Sequence, residues 1–268
     1  MIRCLVLPAF LLVAGMANAA DYVNVPGGQF ASVLPADATR ADVVVAPFML
    51  RREPVTNAEF LAFVLEQPQW RRDRIARVFA EPSYLMHWQS ADALGATVLP
   101  DQPVTQVSWF AAQAFCESER ARLPAWNEWE FAAASDATRH DARSDPLWRE
   151  QILSWYSQPS GKPLAAIGGA ANFYGVRDLH GLVWEWVDDF NALLVASDSR
   201  DQNDPDRLKF CGAGALNLRD RENYAVLMRV AMLSSLKAAD TTNSTGFRCA
   251  RPAAPVPPVA TQVRGDRQ

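Results

Sequence analysis

The stretch Asp178-Leu179-His180-Gly181-Leu182-Val183-Trp184-Glu185-Trp186 concentrates two carboxylates, a histidine, a glycine and two tryptophans in one short segment of this sequence. Working outward from it, four other compact motifs lie on either side. They are Pro54–Phe60 (PVTNAEF), Pro103–Trp109 (PVTQVSW), Arg122–Pro124 with Glu128–Phe131 (RLP and EWEF) and Gly246–Arg251 (GFRCAR). Each motif alone is weakly specific, whereas all of them in this order across residues 22–251 are strongly specific for one fold.

Composition limits the class of protein before any motif is interpreted. The chain has 268 residues, of which 49% are hydrophobic and 21% charged, and this is typical of a globular domain. Its formal net charge of −4 argues against a protein that binds a nucleic-acid backbone. The nine tryptophans favour an aromatic core or groove.

The N-terminal segment, residues 1–19, has the pattern of a signal peptide. A short positive start that includes Arg3 is followed by an apolar run from Leu5 to Met16, and Ala17-Asn18-Ala19 fits a cleavage site after Ala19. The run is too short to cross a bilayer core of about 30 Å as a helix. We therefore expect an exported, periplasmic protein without membrane insertion after cleavage; an uncleaved anchor is the alternative.

The pattern of the rest of the chain predicts one domain, residues 20–251, and a disordered proline-rich tail, residues 252–268. A capping box at Thr56 and Glu59 predicts the start of a helix. Further predicted elements are a buried strand at 43–45 and helices at 108–120, 127–134 and 146–156. The remaining segments are short and rich in turn-forming residues, so we expect irregular backbone to dominate.

The cysteines and histidines give little support for a metal site of known spacing. Cys4 leaves with the signal peptide, and the mature chain keeps Cys116, Cys211 and Cys249, none of them in a CxxC pair. An odd number in an oxidising compartment predicts one disulfide and one remaining thiol. The three histidines stand alone, without the HExxH spacing of a helix-borne zinc site.

In their order, the motifs resemble those of the formylglycine-generating-enzyme (sulfatase-modifying factor) superfamily. The resemblance implies a single loop-rich domain of the α/β (α+β) class, related to C-type lectins and low in regular secondary structure. Segments 79–88 and 210–215 look most like exported members associated with nitrite reductase, and pyoverdine-maturation members are exported too.

Two sets of site residues follow from the resemblance. Cys116 and Cys249 match positions that are disulfide-bonded in secreted relatives, with two buried thiols as the alternative. Asp178, Gly181, Val183 and Glu185 match a Ca²⁺ loop of the family, and oxygen ligands of this kind suit that ion. The alternative for this loop is a structural turn in which backbone amides cap Glu185.

Copper is where the sequence departs from the enzymes it resembles. They bind Cu(I) through two cysteines five positions apart, and a soft monovalent ion requires such thiolates. This chain has no cysteine between Gly212 and Arg248, and Asp220 and Ala225 stand near the expected positions. The sequence therefore argues against copper and against formylglycine formation.

Three residues remain as weaker candidates for the site. Cys211, beside a Gly-Ala-Gly-Ala run, would be a catalytic nucleophile only if its thiol pKa were lowered, and we favour an inert thiol. Arg229 and Arg248 match arginines of the family. For both, a buried arginine–carboxylate pair is favoured over a groove residue that binds substrate.

Two classes of function are compatible with these patterns. The favoured one is a non-catalytic periplasmic factor that binds an exported protein or peptide, either as immunity against a type VI secretion effector or in maturation of a periplasmic protein. The alternative is a periplasmic modifying or oxidising enzyme of the siderophore- or nitrite-reductase-maturation type. We favour the first because the sequence offers no assembled catalytic set.

Overall fold

A computed structural model describes residues 21–34, 42–157, 163–193 and 224–253 of the chain. The predicted signal peptide, Cys211 and Asp220, and all but the first two residues of the predicted tail lie outside these residues. Within the described part, no helix combines the length and the apolar character needed to cross a membrane.

Three small sheets form the β structure of the described residues. In the first, β4 lies between β1 and β7 and pairs antiparallel with both. The second is the antiparallel pair β2–β3, and the third is the parallel pair β5–β6. The strands are β1 Tyr22–Val25, β2 Gly28–Ala31, β3 Asp42–Val45, β4 Phe48–Arg51, β5 Trp184–Trp186, β6 Thr245–Phe247 and β7 Ala250–Pro252.

Strand β3 differs from the prediction in its burial. Val43 and Val45 are buried, whereas Val44 is 78% exposed. A strand in a two-stranded sheet covers the core with one face only, so its residues alternate between core and solvent. Strand β7 includes Pro252, one residue past the predicted end of the domain.

Helices α1, α2 and α4 begin where their sequence signals place them. Thr56 and Glu59 form the predicted capping box of α1, Ser108 caps α2, and Asp145 caps α4 ahead of a proline in the first turn. The helices are α1 Asn57–Glu66, α2 Trp109–Ser118, α3 Trp126–Ala133, α4 Pro146–Tyr156 and α5 Tyr224–Ser234.

Two helices correct the sequence analysis. Helix α3 does not begin at Asn127, because Glu128 accepts a hydrogen bond from the backbone amide of Ala125 and Asp189 accepts one from that of Trp126. The distant Asp189 supplies a cap that local sequence cannot reveal. Helix α5 was not predicted.

Aromatic side chains fill the core between α1, α2 and β6. The rings of Phe60, Phe115 and Phe247 lie 5.4–6.0 Å apart between centroids, and all three side chains are buried. Such contacts stabilise the fold through burial of large apolar surfaces and through the preferred geometry of ring pairs. The short elements and long connections confirm the loop-rich α+β class.

Candidate functional site

A disulfide joins α2 to the segment between β6 and β7. Cys116 and Cys249 are bonded, with their Cα atoms 5.5 Å apart and a sequence separation of 133 positions. Both side chains are fully buried. The predicted pairing is confirmed, and the bond holds the end of the domain against its centre.

Arg248, next to this disulfide, forms a buried ion pair with Glu185 of β5. Its Nε and Nη2 donate hydrogen bonds of 2.7–3.0 Å to the two carboxylate oxygens, and both side chains are 0% exposed. The remaining guanidinium hydrogens reach the backbone carbonyls of Arg51, Arg52 and Arg177. Arg248 therefore has the structural role favoured by the sequence analysis.

Parallel pairing of β5 with β6 brings these two residues together. Glu185 is in register with Gly246, two residues before Arg248. A Cβ atom on Gly246 would lie 2.7 Å from the carbonyl oxygen of Val104, so only glycine allows this close approach.

Trp129 of α3 contacts both Glu185 of the buried pair and a second arginine, Arg229. Its indole N–H donates to Glu185 Oε2 at 2.8 Å, and the guanidinium of Arg229 lies over its ring at 3.5 Å. Arg229 also donates from Nη2 to the backbone carbonyl of Glu185. Burial lowers the pKa of Arg229 to about 10, which leaves it charged at neutral pH. Its contacts are those of a structural residue.

His180, which the sequence analysis did not assign to the site, packs beside Trp129. The centroids of Trp129 and Trp148 lie 5.7 and 5.6 Å from that of the imidazole. Its Nε2 lies 2.8 Å from the carbonyl oxygen of Ala133, and burial lowers the pKa of His180 to about 4. The ring is therefore neutral near pH 7, with Nε2 as the donor and Nδ1 as a buried acceptor that lacks a partner among the described residues.

Asp178 stands two residues before His180, at the start of the loop formed by residues 178–181. The residue has a φ of 59°, and its two carboxylate oxygens accept the backbone N–H groups of Gly168 and Gly169. A Cβ on Gly169 would come within 2.4 Å of Asp178 Oδ1, so the contact requires glycine there. Among the described residues, Asp178 has no cationic partner.

These contacts do not fit a Ca²⁺ ligand set that includes Glu185. Both of its oxygens accept hydrogen bonds from Arg248 and Trp129, and the buried guanidinium supplies the positive charge that an ion would otherwise bring. Side chains rather than backbone amides thus satisfy Glu185. Within the described residues, no three His, Cys, Asp or Glu side chains are grouped so that they could hold a metal ion. Glu185 is thus engaged by protein donors, and Ca²⁺ binding at Asp178, Gly181 and Val183 stays a prediction.

Asp178 and His180 both line a cavity of about 680 Å³ between α4 and the 178–181 loop. Trp148 and Trp155 of α4 form its aromatic side, and Gly181 faces Trp155. Its charged lining residues are Asp136, Arg139, Asp145 and Asp178. Such a concave site with aromatic walls and a few polar groups is typical of ligand-binding pockets.

Local sequence signals did not predict the cavity, although the motif 178–186 contains some of its lining residues. His180 stands inside the motif that decides the fold, and a tryptophan pair seven residues apart on a predicted helix was a second available signal. Neither revealed that α4 lies against this loop. Cys211 and Asp220 lie outside the described residues, and Ala225 stands in α5 without a metal-binding side chain.

A family model for the sulfatase-modifying factor enzyme 1-like domain matches residues 12–253. The chain is 28% identical to formylglycine-generating enzyme of Streptomyces coelicolor, with coverage of 86% of this chain and 89% of the relative.

Two other relatives carry different names. The chain is 28% identical to inactive C-alpha-formylglycine-generating enzyme 2 of Mus musculus, covering 65% of this chain and 70% of the relative. It is 32% identical to hercynine oxygenase of Mycolicibacterium smegmatis, over 62% of this chain. The chain spans only 44% of the length of that oxygenase.

Proposed function

Because the chain belongs to the family of sulfatase-modifying factor enzyme 1-like domains, we propose that it is an exported factor that binds a segment of a partner protein in the cavity between α4 and the 178–181 loop. The single observation that carries this proposal is that cavity. Its lining combines the apolar side chains of Trp148 and Trp155 with several polar and charged residues. An open, aromatic-walled surface of this kind suits the binding of a protein segment.

The proposed partner is an exported protein, either one under maturation or a secreted effector. The disulfide between Cys116 and Cys249 supports export, since such bonds persist in oxidising compartments. The charge of −4 gives no support for a nucleic-acid partner. Two cysteines for Cu(I) are missing between Gly212 and Arg248, so the proposed role excludes the copper-dependent oxidation of a thiol. A relative named as inactive is in keeping with a role other than that reaction.

Capture of the partner from periplasmic extract tests this proposal. We expect the tagged wild-type protein to retain a near-stoichiometric partner, and the Trp148→Leu variant to lose it because the aromatic wall is removed. Phe79→Leu is the matched control, since Phe79 is 40% exposed and lies outside the cavity lining. Equal capture by Trp148→Leu and wild type would contradict the proposal.

A second candidate, a modifying enzyme, is favoured by His180, whose bare Nδ1 could accept a proton from a substrate in the cavity. Intact masses separate the two functions. A partner with the same mass in strains with and without this gene supports binding alone. A partner whose mass differs between strains with and without this gene supports the enzyme, provided that the His180→Phe variant does not produce the mass change.

A further inference from the structure

Two residues that line the cavity carry hydrogen-bond acceptors with unused capacity. His180 Nδ1 is buried without a partner among the described residues. Asp178 accepts two backbone N–H groups and still has lone pairs available on both oxygens. Both residues line the cavity and stand two positions apart on the same loop.

Most donors of the lining are already used inside the protein. The hydroxyl of Ser135 and the side-chain amide of Asn172 both donate to the carbonyl of Ala132. Thr138 donates to Asp136, and Ser154 donates to the carbonyl of Gln151. A ligand that donates hydrogen bonds is therefore better matched than one that accepts them.

The charges of the lining favour a cation. Its carboxylates are Asp136, Asp145 and Asp178, whereas its one described guanidinium, Arg139, is shared between the first two. This leaves Asp178 as the carboxylate without a cationic partner among the described residues.

The buried groups behind Trp129 limit where that cation lies. Arg229 and Arg248 share Glu185 as their acidic neighbour, so among the described residues this region has one more positive than negative charge. We therefore expect the charge of a ligand to lie near Asp178, and a neutral or delocalised N–H to reach His180.

We propose that this cavity binds an organic cation with N–H donors, an alkylammonium or a guanidinium, with its charge at Asp178, an N–H donated to His180 Nδ1, and its stem against Trp148 and Trp155. Aromatic faces attract such cations, and alkyl stems pack on them. The ligand chemistry stands on the cavity alone. That the cation is a side chain of a partner protein rests on the proposed function.

Calorimetric titration of the full mature chain tests this inference. The probes are acetyl-Gly-Arg-Gly-amide and its citrulline analogue, which keeps the shape of arginine without its charge, together with butylguanidinium and butylurea. We expect each cation to bind at least about tenfold more tightly than its neutral analogue. Equal affinities, or no binding of either cation, would overturn the inference.

Variants connect the affinity to the named residues. We expect Asp178→Asn, His180→Phe and Trp148→Leu each to weaken cation binding by about five- to tenfold. Asp73→Asn, which removes an exposed carboxylate outside the lining, should leave the affinity unchanged. If Asp178→Asn fails to fold, Trp148→Leu decides, because it leaves the hydrogen bonds of Asp178 to Gly168 and Gly169 in place. Unchanged affinity in that variant contradicts the site.

The same titrations separate this inference from the proposed function. If butylguanidinium binds as tightly as the peptide and no protein partner is captured, the cation site stands and the partner proposal fails. If a captured partner binds Asp178→Asn and His180→Phe as tightly as wild type, partner binding stands and the cation of this site is not a side chain of that partner.

Discussion

At the scale of single residues, Glu185 has the most consequential contacts. It accepts hydrogen bonds from Arg248 and Trp129, and its backbone carbonyl accepts one from Arg229. One residue thus connects β5, α3 and α5 with the segment after β6. Because its side chain is fully buried, Trp129 and Arg248 would lose their acceptor without access to water if the carboxylate were removed.

Glu185→Ala should lower the free energy of unfolding by about 3–5 kcal/mol, because it leaves the guanidinium of Arg248 buried without its counter-charge. Urea denaturation measures this loss. Asp73→Asn is the control, since it breaks an exposed pair with Arg71 and should cost no more than about 1 kcal/mol. Equal losses in the two variants would show that the buried pair contributes no more to the free energy of unfolding than an exposed pair does.

His180 predicts a dependence of stability on pH. Burial lowers its pKa to about 4 in the folded state, below the ordinary value of 6.5. Its contribution is complete above pH 6.5, and it is lost as the pH falls from 6.5 toward 4, since the unfolded chain binds the proton more readily. Unfolding free energies of wild type and His180→Phe should therefore converge on acidification across this window, whereas the control His140→Gln, at an exposed position, should run parallel to wild type. Parallel curves for His180→Phe would contradict the assignment.

At the scale of elements, the two carboxylates of the segment 178–185, which ends in β5, find their hydrogen-bond donors within the protein. Its acidic residue at one end, Asp178, accepts backbone amides, and the one at the other end, Glu185, pairs with a guanidinium. Both ends are held by groups of the chain itself.

We expect Ca²⁺ and a chelator to leave the melting temperature of the wild-type protein unchanged, because both oxygens of Glu185 accept protein hydrogen bonds and its charge is paired with Arg248. Thermal unfolding in excess Ca²⁺ and in excess EDTA measures this. If Ca²⁺ raises the melting temperature of wild type but not that of Asp178→Asn, the ion binds and the loop has a ligand arrangement other than the one described.

The sequence predicted elements whose signals are local and missed those that depend on distant residues. The starts of α1, α2 and α4 were confirmed because Thr56, Ser108 and Asp145 cap them within a few positions. Helix α3 starts one residue before the predicted Asn127, where Asp189, 63 residues away in sequence, accepts a hydrogen bond from the backbone amide of Trp126. The pairing of Arg248 with Glu185 and the placement of His180 in a cavity wall are equally non-local, so resemblance could match the residues without supplying their contacts.

At the scale of the whole molecule, the disulfide between Cys116 and Cys249 closes a loop of half the chain. A double variant, Cys116→Ala with Cys249→Ala, should unfold with a free energy about 2–5 kcal/mol lower, chiefly because its unfolded chain is less constrained. Wild type in a reductant should lose a similar amount, as measured by urea denaturation. If the double variant is as stable as oxidised wild type, the bond does not stabilise the fold.

The same disulfide prevents a single proteolytic cut between its two cysteines from separating the chain into two molecules. Hydrolysis of any one peptide bond between residues 116 and 249 yields two fragments that stay attached through sulfur. A nicked molecule would migrate as one species without reductant and as two with it. Loss of a single loop connection therefore does not release either half of the protein, and a protein of this design can survive a cut that would divide an unlinked chain.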